Sequence, residues 1–393
     1  MVNSWKNNYL KLAEFIGLHN EIEISSNKVV IPSGIKDEFY RYFDSVRETL
    51  ITESFPHQLD IAEELSRNFK EIRGLVLESE AIDSIDISGD LNWFLENPTN
   101  GLTRYLFDPL MKLLAGTSNP DEFEAVSITK LNQAFCSLFS EGYNRYIELG
   151  LIYLFKPDAG YFVPAIDGLE NGLLGEGHEL PGQHIDRVPW PQKSNRISFD
   201  QYPVMSFIVP NILLHSAGVG SFVAMHFDFR EAEWTASKIS ENMEWHKLCD
   251  IKRRYGLSKL RPDLFKKAWY EFSSVLPDLA IYTAPELNDL ALVADYNHLL
   301  RPEVNVEIMA FEDWYKEGRL ADVKKHHEAM KPKKGSYIVC LNETPLEVET
   351  ELIGEFRTES GIRIIHSGYD YMSLESIVSS FAAASPINQI SCQ

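Results

Sequence analysis

The chain has 393 residues, 44% apolar and 24% charged, with 37 Lys and Arg against 58 Asp and Glu for a formal charge of −21. That length suits two or three domains, and the apolar share excludes an intrinsically disordered chain. The acidic field excludes nucleic-acid binding by the surface as a whole, and no run approaches the roughly 20 apolar residues that span a bilayer.

In chain order, residues 4–18 put Trp5, Tyr9, Leu12, Phe15 and Ile16 on one helical face, with Ser4 as N-cap. Ile22 and Ile24, the turn 25–28 and Val29 to Ile31 read as a small hairpin. From Lys36 to about Gly150 the period is helical: Phe39, Tyr40, Phe43, Val46 and Leu50 share a face, and so do Leu131, Phe135, Leu138 and Phe139. Residues 1–150 are therefore expected to form a mainly helical domain. Residues 151–203 carry many Gly and Pro, and read as a crossing segment. β-rich sequence opens residues 204–393, with alternation through 221–229, a hairpin turn at 217–220 and helical periodicity from 231 to 255.

The last part, 262–384, is the best ordered. It reads as a helix from Pro262, strands at 279–283, 290–294 and 304–311, and a charged helix from Asp313 to Met330. A strand at 337–341, a helix from Pro345, a strand at 362–365 and a helix from Ser373 complete it. Such alternation means a mixed sheet with helices on its faces. The expected fold class is α/β (α+β overall), with a helical N-terminal domain followed by a mixed-sheet α/β domain. The run at 337–341 should be a buried central strand, and Cys340 within it a core thiol.

Asp295 closes the second of these strands and Glu307 lies on the third, in Val304-Asn305-Val306-Glu307-Ile308-Met309. With the element order of 262–370, this resembles the restriction-endonuclease-like, or PD-(D/E)xK, superfamily. In that family an Asp and a Glu on adjacent strands hold a divalent metal, and a Lys two residues after the Glu acts on the phosphate or the water. The resemblance implies Mg²⁺ or Mn²⁺ on Asp295 and Glu307, with Glu271 as the acid of the first helix. A second placement puts the family's Pro-Asp literally on Pro277-Asp278, ahead of the first strand. Hard carboxylate oxygens suit Mg²⁺, which can activate water against phosphorus. The departure is Met309 at the lysine position, since a thioether neither donates a proton nor offsets charge. Lys316, Lys324 or Lys325 of the next helix would have to supply the cation, or the copy is a non-cleaving one.

Other constellations offer different chemistry. His226 and Asp228, two apart on a strand, share a face as two ligands of a mononuclear metal would, with His366 or His215 as a third. His178, Glu179, His184 and Asp186 gather polar groups in the Gly/Pro-rich crossing. Local basic runs at 252–267 and 324–334 are candidate nucleic-acid contacts, against the plainer reading of solvated helix faces. Four scattered cysteines without a C-x-x-C pair, and an N-terminus without a signal-peptide pattern, make the expected location cytoplasmic. The expected functions are thus a metal-dependent phosphodiesterase or its degenerate relative, a non-catalytic interaction protein, or a mononuclear metal enzyme. No membrane partner is expected; a protein partner or a homo-oligomer is.

Overall fold

The computed structural model describes residues 4–25, 28–162, 191–199, 210–227, 277–290, 301–316, 318–355 and 361–381. The chain divides into two compact units, residues 1–71 with 88–146, and residues 72–87 with 147–393.

The first unit is helical. Helix α1 (Trp5–Leu18) starts where the Ser4 side chain accepts from the Asn7 backbone N–H, which satisfies one orphan donor of the first turn. Its buried side chains are Trp5, Asn8, Leu12 and Phe15. Strands β1 (Glu23–Ser25) and β2 (Lys28–Val30) form the expected antiparallel hairpin. Helix α2 (Lys36–Ser54) buries Phe39, Phe43, Val46 and Leu50 of the expected stripe and adds Ile51, while Tyr40 is only partly buried. Helix α3 (Pro56–Leu77) runs out of this unit into the second. Short strand β3 (Ser84–Asp86) belongs to the second unit. Helices α4 (Gly89–Glu96), α5 (Pro98–Thr103) and α6 (Phe107–Leu114) are short, and the long α7 (Pro120–Phe155) carries the chain back out.

The second unit is built on an eight-stranded mixed sheet. Its strands are β4 (Pro157–Phe162), β5 (Gln192–Lys193), β7 (Ile212–Ser216), β8 (Ser221–Phe227), β9 (Leu279–Ala284), β10 (Val304–Met309), β11 (Ser336–Cys340) and β12 (Ile362–His366). Their spatial order is β12-β11-β10-β9-β8-β7-β4-β5. A separate pair joins β3 in parallel to β6 (Arg196–Ser198). Residues 151–203 are therefore more than a crossing: they finish α7 and supply β4, β5 and β6. The short, Gly- and Pro-flanked runs hide strands whose partners lie far off in sequence.

From β4 to β10 neighbouring strands of the sheet run antiparallel; β10, β11 and β12 are parallel. Parallel neighbours need crossovers. Helices α8 (Arg319–Met330) and α9 (Leu346–Glu355) are those crossovers, and α10 (Glu375–Ser379) follows β12. Every residue of β10 and β11 is buried, which accounts for their unbroken apolar and β-branched character. On the helix-covered face, Met309, Trp314, Val323, Ile338, Cys340, Leu352 and Ile362 form one hydrophobic cluster. Full burial of such side chains stabilises by about 1.5–3 kcal/mol each. Burial pushes the Cys340 thiol up to about 11, so it stays protonated and unreactive.

Three element boundaries need correction. The charged helix begins at Arg319 rather than Asp313, because Gly318 takes a left-handed φ of 87° and residues 311–316 fold into turns. The strand from Val304 stops at Met309 rather than Phe311. The last helix opens as a 3₁₀ turn at Tyr371–Leu374 and is α-helical only over Glu375–Ser379. The strand expected over 290–294 lies, apart from Leu290, outside the described residues; Leu287–Leu290 is a single helical turn.

Candidate functional site

Alternation along β10 places Asn305, Glu307 and Met309 on one face and Val304, Val306 and Ile308 on the other. The first face lies against α8, as the contacts of Glu307 show. Glu307 is 1% exposed, and its two carboxylate oxygens are held separately. Oε1 is 2.6 Å from His326 Nδ1, and Oε2 accepts from Arg319 Nη2 at 3.0 Å.

The same Arg319 nitrogen donates to Asp278 Oδ2 at 2.7 Å, and that oxygen also accepts from the Ile308 backbone N–H at 2.8 Å. Asp278 is placed by the antiparallel pairing of β9 with β10. Leu279 lies opposite Val306, so the residue before it meets the chain beside Glu307. Asp278, the acid of the literal Pro277-Asp278 placement, is thus brought beside Glu307. Two carboxylates converge, and a single guanidinium nitrogen bridges them.

The electrostatics follow from burial. Desolvation raises the Glu307 pKa above the ordinary carboxylate range and nearby Asp278 adds to it, while the hydrogen bond from His326 and the charge of Arg319 oppose. For Arg319 burial disfavours the charge, but Asp278 and Glu307 outweigh it and the pKa is raised.

Asn305 completes the row. It is 1% exposed, and among the described residues neither its Oδ1 nor its Nδ2 has a hydrogen-bond partner. Its register partners, Ala280 on β9 and Ser336 on β11, are both small. Ser336 Oγ is 2.9 Å from His327 Nδ1, so α8 sends Arg319, His326 and His327 to this face of the sheet.

The remaining candidates are dispersed. Glu271, Asp295 and Asp228 lie outside the described residues, as do His178, Glu179, His184, Asp186 and the basic run 252–267. Lys316 is exposed and paired with Asp313 at 2.7 Å. Lys324 donates to Glu351 Oε1 at 2.7 Å, so the cation from this segment that reaches Glu307 is Arg319 and not a lysine. Met309 sits in the hydrophobic cluster. His226 is buried on β8 with its ring edge-on to Tyr282. Three strands separate β8 from β12, so His226 and His366 do not meet in a triad. His366 Nε2 is 2.6 Å from Glu349 instead, and His215 Nδ1 is 2.6 Å from Asp158.

The sequence reading did not single out Arg319, His326 or Asn305 as site residues. Glu307 was carried by the family resemblance; the signal for Asn305 was a second polar residue, two positions before it, on an otherwise apolar strand. Among the described residues no three His, Cys, Asp or Glu side chains come together as a metal-holding group. No protein-family model, no curated protein and no solved structure matches the chain.

Proposed function

We propose that the α/β unit is a restriction-endonuclease-like scaffold that does not cleave, and that the protein works by binding a partner. The observation that carries this reading is the shared hydrogen bond of Arg319 Nη2 to Asp278 and Glu307. Glu307 is one of the two acids that the resemblance assigns to a divalent cation, and Asp278 is the acid of its second, literal Pro-Asp placement. Mg²⁺ asks for near-octahedral oxygen ligands and keeps several waters. A guanidinium already clamped between the two carboxylates neutralises them without that geometry, and it cannot activate water. Met309 supports the same reading, because its side chain is packed with Trp314, Val323 and Ile338. The pair therefore serves as an internal ion-pair network that ties α8 to the sheet.

The partner in this reading is a protein. The formal charge of −21 opposes a phosphate backbone, and three lysines of the 324–334 run are already matched: Lys324 with Glu351, Lys333 and Lys334 with Glu303. The test is incubation of the full chain with single- and double-stranded DNA and RNA, in Mg²⁺ or Mn²⁺. Wild type, Glu307→Ala and Asp278→Asn should all leave the substrates intact, and titration calorimetry with Mn²⁺ should give no binding heat. Metal-dependent cleavage by wild type that is lost in Glu307→Ala would return the protein to the phosphodiesterases.

A further inference from the structure

The inner side of α8 is half polar. Leu320, Val323 and Met330 supply its apolar contacts, whereas Arg319, His326 and His327 reach Glu307, Asp278 and Ser336. Beneath it the sheet buries an amide that meets neither a described partner nor solvent, and a carboxylate whose proton affinity is raised by burial. Closure of α8 therefore carries a desolvation cost, whereas the described residues of α9 place Leu352 in the hydrophobic cluster.

Both ends of α8 also depart from right-handed backbone. Gly318 caps the start at φ 87°, and Lys331 caps the end at φ 45°, a left-handed conformation unusual for a residue with a side chain. Gly335, at φ 103°, follows just before β11. The helix is framed by the joints a local opening requires.

We propose that α8 is a latch, opening by local unfolding ahead of the other elements of the α/β unit and held shut chiefly by Arg319. Opening hydrates the Asn305 amide and the Glu307 carboxylate, and it breaks the ion pairs of Arg319 with Asp278 and Glu307. Arg319 lies in the first turn, beside the Gly318 joint, so its two ion pairs fasten the end that would lift. The unpartnered amide works in the opposite direction, and the two residues make opposite predictions.

Hydrogen exchange of the full chain, read by mass spectrometry, tests this. In Arg319→Met the segment 319–330 should exchange at least about tenfold faster than in wild type. In Asn305→Val, which replaces the amide with a β-branched apolar side chain suited to a buried strand, it should exchange about tenfold slower. Segments 336–340 and 362–366 should be unchanged in both. If Arg319→Met does not fold, Arg319→Lys gives the same direction at smaller size, since one rigid fork is lost but the charge is kept. Exchange that shifts equally across all these segments, or a 319–330 segment indifferent to either variant, overturns the latch. The outcome is independent of the cleavage assay, because a cutting or a non-cutting protein could give either exchange result.

Discussion

At Glu307 the balance of forces can be read from one side chain. Its pKa is raised in the folded chain, chiefly by burial. At low pH the group is protonated in both folded and unfolded states and contributes its full share of stability. As pH climbs past the ordinary carboxylate value the unfolded chain releases its proton first, and stability is lost until the folded pKa is passed. Glu307→Gln fixes the neutral form. Its melting temperature relative to wild type should therefore improve as pH rises between about 4 and 8; a difference that shrinks with pH would mean that Arg319 and His326 outweigh desolvation. The site was partly legible at this scale. Glu307 stands out as an acid inside an apolar run, and Pro277-Asp278 matches a motif literally, but only the register of β9 on β10 shows that Asp278 is the residue delivered to it. Arg319 carries no signal of its own, because an arginine after a glycine reads equally well as a surface residue.

At the scale of elements, period and alternation were enough for most of the framework. The hairpin, the helical stripes of α1 and α2, and the buried strands β10 and β11 all follow from where apolar residues recur. Boundaries were lost where a glycine overrides a continuous pattern, as Gly318 does for α8. The small helices of the first unit depend on another glycine. A Cβ built on Gly101 of α5 would lie 2.5 Å from the Cα of Phe94 in α4 and 2.8 Å from its backbone nitrogen. Backbone cannot move aside as the tip of a side chain can. Gly101→Ala should thus lower stability by about 1–3 kcal/mol, measurable as a fall in urea midpoint. An unchanged midpoint would show that the α4–α5 contact is looser than its geometry implies.

For the whole molecule, charge and connectivity matter most. A formal charge of −21 repels itself, so added salt should screen that repulsion. Raising NaCl from about 20 to 200 mM should increase the melting temperature; a decrease would mean that ion pairs such as Arg319 with Asp278 and Glu307 outweigh the net field. The division into units was the least legible feature. Residues 72–87 belong with the sheet-bearing unit although helical sequence surrounds them, because β3 pairs with β6 far along the chain. That pairing has a consequence for the order of events in synthesis. Arg196 and Asp86, joined across it, stand 110 residues apart. At a ribosome's pace of 5–20 residues per second, β3 would wait about 5–20 s after its own synthesis before its partner exists. During that interval β3, with Ile85 buried in the finished fold, has no β6 to pair with. A nascent chain halted short of residue 196 should accordingly bind holdase chaperones through this segment, and release them once β6 has emerged.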